Sequence, residues 1–139
     1  MNTDIEVNKL QIGEAAMASG VSAKMIRYYE EIGLLRGVKR TKVGYRKYTA
    51  ADVHTLRFIR RSRDLGFDLS EIARLLTLWQ DRRRKSSDVK RLAATHVAEL
   101  NAKIEALQAM VRSLSTLVAC CHGDERPECP ILEELERTV

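Results

Sequence analysis

At 139 residues, with 45% hydrophobic and 31% charged positions, the chain has room for one globular domain plus an extension and is neither disordered nor fibrous in composition. No apolar run is long enough to span a membrane, and the opening MNTDIEVNKL lacks the basic-then-apolar order of a signal peptide, so a cytoplasmic location with no membrane partner is expected. The net charge of +5 is unevenly divided: residues 1–85 carry 18 Lys/Arg against 10 Asp/Glu and residues 86–139 carry 6 against 9, which suggests a nucleic-acid-binding head on a mildly acidic second part.

Residues 1–9 read as a loose polar tail. A short helix is predicted over Ile12–Ala18, stopped by Ser19-Gly20. Ser22 is a natural N-cap for a second helix over Ala23–Glu31, closed by Gly33. Two short helices about a Gly-containing turn, packed through Ala15, Ala16, Val21 and Ile26, spell helix-turn-helix. Lys24 and Arg27 fall on the exposed side of the second helix, where a DNA major groove would lie. Of Tyr28 and Tyr29, one is expected in the core and the other, Tyr28, is free to reach a phosphate.

Arg36–Tyr48 holds six cationic residues and no acid. Val38, Val43, Tyr45 and Tyr48 have strand character and Gly44 marks a turn, so the segment reads as a two-stranded wing whose cations, Arg40 among them, lie along a phosphate backbone. Thr49 and Asp52 form a capping-box start for a third helix to Leu65, with Val53, Leu56, Ile59 and Phe58 inward and Arg57, Arg60, Arg61 and Arg63 mostly outward. Gly66 breaks it. Asp68 and Glu71 give a second capping signal, and a fourth helix follows to about Trp79 on Ile72, Leu75, Leu76 and Trp79.

After the charged link Asp81–Lys85, no Gly or Pro occurs before Gly123. Ser86 and Ser87 start a helix to Ala119, with Asp88 in its first turn. Ala93, Val97, Leu100, Ile104, Leu107, Val111, Leu114 and Val118 form an a/d seam of period 3.5 over nearly four heptads. A rod of roughly 50 Å cannot bury such a stripe alone. The head is too small to cover it, so a second copy of the chain is the expected partner.

The chain then turns at Gly123 and Pro127, and Pro130 suits the first position of a terminal helix with Cys129 as N-cap. All three cysteines lie in this region. In a reducing compartment they point to metal or redox chemistry, not to a structural disulfide. Cys121 and Cys129, separated by seven residues of a folded-back loop, can face each other. Two soft thiolates suit a two-coordinate monovalent ion such as Cu(I), whereas zinc asks for four ligands, or three and a water. His122, Asp124 and Glu128 are in-principle further ligands, and Cys120, about a hundred degrees round the helix, reads as a bystander. A thiol redox sensor and a zinc or mercury sensor stay open as alternatives. An enzyme is not indicated: no nucleophile–base set, phosphate-cradling loop or carboxylate pair is recognisable.

IGEAA, GVS and IRYYEEIGLL, then GYRKY (Gly44–Tyr48) and LGFDLSEI (Leu65–Ile72), resemble the MerR family of transcription regulators, in register across the whole head. The resemblance implies a mainly α protein: a winged helix-turn-helix head with a small β wing at 1–85, a long dimerisation helix at 86–120 and a metal-binding loop with a short helix at 121–139. It implies an antiparallel homodimer on a palindromic element of double-stranded promoter DNA, acting on RNA polymerase through the distorted promoter. It places Tyr45 and Arg46 of the wing on DNA beside Lys24 and Arg27. Gly37 and Val43, where relatives often have Pro and Asn, depart from the pattern and blur the wing's contacts. CHGDERPECPIL is similar to the copper-responsive branch, in which two cysteines at this spacing bind Cu(I), and often Ag(I) or Au(I). Ser86 then stands where the divalent-metal branches carry a third cysteine, close to the site from the other subunit.

Overall fold

The computed structural model describes residues 10–35, 39–40 and 46–138, with backbone alone at residues 39, 40 and 46. Two compact units divide at Lys85/Ser86.

In the first unit, α1 (Ile12–Ser19) starts where the Glu14 carboxylate accepts from the Gln11 N–H at 3.2 Å. It ends at Gly20, whose φ of 76° is one that side-chain-bearing residues rarely adopt. α2 (Ala23–Glu31) is capped by Ser22, whose hydroxyl accepts from the Met25 N–H at 3.2 Å. β1 (Lys39–Arg40) and β2 (Arg46–Lys47) pair antiparallel, Lys39 opposite Lys47 and Arg40 opposite Arg46. The ribbon continues as a bridge between Tyr48 and Leu10, so the chain ahead of α1 is tied to the end of the wing.

α3 (Ala50–Asp64) opens with the reciprocal bonds expected of Thr49 and Asp52, at 2.8 and 3.0 Å. α4 (Leu69–Gln80) opens with the same arrangement at Asp68 and Glu71. Each box satisfies two N–H groups that the first helical turn leaves without partners. The four helices close on one core: Ala15, Val21, Ile26, Tyr29, Leu35, Tyr48, Val53, Leu56, Ile59, Ile72 and Leu76. Phe58 is half-buried and stacks on Trp79, centroids 4.9 Å apart and planes at 6°. Leu75 is half-buried too, so the expected inward set of α4 holds at Ile72 and Leu76 and is partial at Leu75, whereas Trp79 is exposed apart from its stacked face.

The second unit is the 35-residue helix α5 (Ser86–Cys120) and the short helix α6 (Pro130–Glu136), which folds back on it. Ser86 is the first helical residue, as the sequence reading expects. Within one chain the seam is open: Val97, Ile104, Leu107, Val111, Leu114 and Val118 are 50–61% exposed, and Met110 beside them is equally so. Among the described residues, no helix is long and apolar enough to cross a membrane.

Candidate functional site

The helix-turn-helix sorts its residues by face. Ile26 and Tyr29, three apart on α2, go to the core, which leaves Lys24, Arg27 and Tyr28 exposed on the other side. The Tyr28 and Tyr29 rings meet at 6.0 Å and 52°. The ribbon backbone carries Arg40 opposite Arg46, while their side chains, and the whole of Val38, Val43 and Tyr45, lie outside the described residues. Tyr48, grouped by sequence with the strand aromatics, is fully buried, and its hydroxyl donates to Glu30 on α2. That bond anchors the end of the ribbon to α2, and no local pattern announces it across eighteen residues.

At the other end of the chain, α5 stops at Cys120, and the Cys121 N–H donates to Leu117 O and Val118 O at 3.1 and 3.2 Å. Gly123, with φ 67°, turns the chain. Asp124 and Arg126 then staple the loop. The guanidinium reaches Asp124 Oδ2 at 2.6 and 2.7 Å, and the Arg126 N–H donates to Oδ1 at 3.0 Å. The Arg126 side chain, then its backbone N–H, holds the Asp124 carboxyl below the usual carboxylate value. Asp124, an in-principle metal ligand by sequence, is thus engaged by Arg126. The only sequence sign is opposite charge two residues apart at a turn.

Cys129 is extended (φ −141°, ψ 111°) immediately before Pro130, and its carbonyl accepts from the Glu133 N–H at 3.0 Å. Its thiol makes no formal cap bond, yet it sits among the donors of the new helix. The backbone N–H of Leu132 is the main influence that lowers the thiol below its ordinary value; the Ile131 N–H and the Cys121 thiol add to it, and burial and the Glu133 charge oppose. Cys121 and Cys129 are therefore adjacent, both half-buried and both free thiols. Cys120, His122 and Glu128 are exposed. Two soft donors beside a helix N-terminus suit a soft cation whose complex stays anionic. Ser86 is exposed at the start of α5.

Two family models match the chain: "MerR HTH family regulatory protein" over residues 10–78 and "MerR, DNA binding" over residues 53–117. The chain is 59% identical over 126 residues to a heavy metal-dependent transcription regulator of Rhizobium meliloti (strain 1021), covering 91% of this chain and 86% of that protein. It is 40% identical to the regulator CueR of Escherichia coli O6:H1, over 91% of this chain and 93% of that protein. The fold matches the crystal structure of the regulator PbrR691 of Ralstonia metallidurans CH34 in complex with lead(II), with TM-score 0.80 and 32% identity over 91% of this chain and 98% of that one.

Proposed function

This chain belongs to the MerR family of helix-turn-helix regulators, DNA-binding proteins and not enzymes, and from that premise we propose that it is a metal-responsive transcription activator whose effector is Cu(I), or Ag(I) or Au(I), held by Cys121 and Cys129. The observation that carries the proposal is the side-by-side pair of half-buried thiols, the second among the first N–H groups of α6. Two thiolates and one monovalent cation carry a net charge of −1, whereas a divalent cation would neutralise them. A partly buried anion needs donors around it. The Ile131 and Leu132 N–H groups supply them. The names of two relatives, a heavy metal-dependent regulator and CueR, support the metal response.

The apolar seam of α5 joins two copies, and the two heads engage the halves of a palindromic promoter element through Lys24, Arg27, Tyr28 and the wing residues Arg40, Tyr45 and Arg46. RNA polymerase is affected through the shape of that promoter. A cytoplasmic setting follows from this role. The lead(II) complex of the 32%-identical neighbour supports a second possibility, a divalent soft ion. Ser86 separates the two. Its hydroxyl is a hydrogen-bond donor and a poor soft ligand.

The test is a promoter-reporter dose response to Cu(I), Ag(I), Zn(II), Pb(II) and Hg(II). Wild type is expected to respond to the monovalent ions. Cys121→Ser and Cys129→Ser should lose that response while duplex affinity stays within about tenfold, roughly 1.4 kcal/mol. Ser86→Cys should extend the response to divalent ions. Wild-type activation by Zn(II) or Pb(II) as strong as by Cu(I) would sink the monovalent assignment. An oxidant that activates without metal would favour a Cys121–Cys129 thiol switch instead.

A further inference from the structure

The head contains another cationic site, used by neither the exposed face of α2 nor the cysteine loop. A cleft of about 550 Å³ opens between the end of α1, Met17 to Gly20, and one face of α3 bearing Arg57, Arg60, Arg61 and Asp64. Arg57 is committed: its Nε and Nη2 both donate to Ala18 O, at 3.0 and 2.8 Å. That fork ties α3 to the last turn of α1, whose carbonyls have no helical partners. The Arg60 guanidinium lies over Gly20, where an added Cβ would come within 1.8 Å of Nη1. The glycine therefore serves twice, in taking a φ of 76° and in leaving room for that side chain.

Arg61 is exposed beside them. Asp64 lies one turn along the same helix, yet among the described residues neither Arg60 nor Arg61 has an ion-pair partner. Three guanidinium groups and one carboxylate leave the concavity with a surplus of two positive charges. Gly20, at its edge, is two residues before Ser22, the N-cap of α2 and so the positive end of that helix's dipole. A concavity with this surplus charge suits an anion, and guanidinium forks fit phosphate oxygens best. In helix-turn-helix docking the first helix crosses the nucleic-acid backbone while the second enters the groove.

We propose that this cleft seats a backbone phosphate of the bound DNA, with Arg60 and Arg61 as donors and Arg57 as the positioning residue that fixes the α1 terminus. The proposal rests on the DNA binding of the family and adds to it a contact from the helix that follows the wing. It contributes affinity and register but no base preference.

The experiment titrates the full-length protein and its Arg61→Ala and Arg61→Lys variants against a nonspecific B-form duplex at several salt concentrations. For Arg61→Ala, the slope of log affinity against log salt should fall by about 0.9 for each phosphate contact removed per protomer. Arg61→Lys should keep the wild-type slope, and the unfolding midpoint should be the same in all three. An unchanged slope in Arg61→Ala overturns the proposal, and if transcription fails at the same time the arginine serves an acidic protein surface instead. A weaker Arg61→Ala that unfolds earlier and is not rescued by lysine also overturns it, as a purely structural effect. Wild-type protein without salt-dependent duplex binding overturns the DNA role and the cleft together. Wild-type binding with an unchanged Arg61→Ala slope overturns the cleft alone.

Discussion

In the head, eleven apolar side chains from α1 to α4 and the wing close around one another, whereas along α5 six seam residues of the same aliphatic kind are 50–61% exposed. Composition does not separate these regions; connectivity does. The head breaks its apolar periodicity with Gly20, Gly33 and Gly66, so short helices fold back and bury one another's faces. α5 has no such break in 35 residues, and its stripe points one way along its length. The head is a closed structure. The rod leaves its stripe open within one chain.

The sharpest break of this contrast is Leu107→Asp. A carboxylate in the seam loses about 1.5–3 kcal/mol of leucine burial and adds a desolvation cost of several kcal/mol per protomer. Sedimentation should show monomer, and DNA binding should weaken because one head grips one half-site. The head's thermal transition should be unaffected. An intact dimer would mean that α5 does not associate through this stripe.

The converse variant is Ile59→Ala. Ile59 is fully buried between the helices of the head, and its truncation should cost about 2–5 kcal/mol there. Trp79, the chain's one tryptophan, stacks on Phe58 next in sequence and reports that loss by fluorescence. The sedimenting mass should stay that of the dimer. Dissociation at the same temperature as the fluorescence change would show that the two units unfold as one.

How much of this was legible depended on sequence distance. Ser22, Thr49 with Asp52, Asp68 with Glu71, and Cys129 with Pro130 act within three or four residues, and each helix starts within a residue of the place they mark. The seam was legible because period 3.5 repeats along one uninterrupted helix. Tyr48 with Glu30, and Arg57 with Ala18 thirty-nine residues away, depend on how the helices pack, which no window of a few residues contains. Tyr29 was decidable in principle, since Ile26 three residues earlier shares its face; Tyr28 then had to point out. At the cysteine loop the spacing was readable, but the Asp124–Arg126 staple was not, because the same two charges would be equally at home as solvated loop residues.

The smallest expected effect compares one carboxylate in each region. Asp68 in the head and Asp124 in the loop both titrate below the ordinary value of 3.8, the first chiefly through the Glu71 backbone N–H and then the Ser70 hydroxyl, the second chiefly through Arg126. A folded value below the unfolded one means that the ionised form stabilises the fold. That contribution is complete above 3.8 and disappears as the pH falls through the folded value. Asn caps a helix about as well as Asp but has no proton to take up. Asp68→Asn should therefore melt close to wild type at neutral pH, and below about pH 5 its midpoint should fall less steeply than that of wild type. Trp79 fluorescence reads the effect directly, since α4 begins at the substituted cap and carries the indole near its end. Asp124→Asn should leave the same curve unchanged, because its partner Arg126 belongs to the other unit. Parallel pH curves for Asp68→Asn and wild type would show that the cap does not depend on charge, and a shift produced by Asp124→Asn would show that the two regions share their stability.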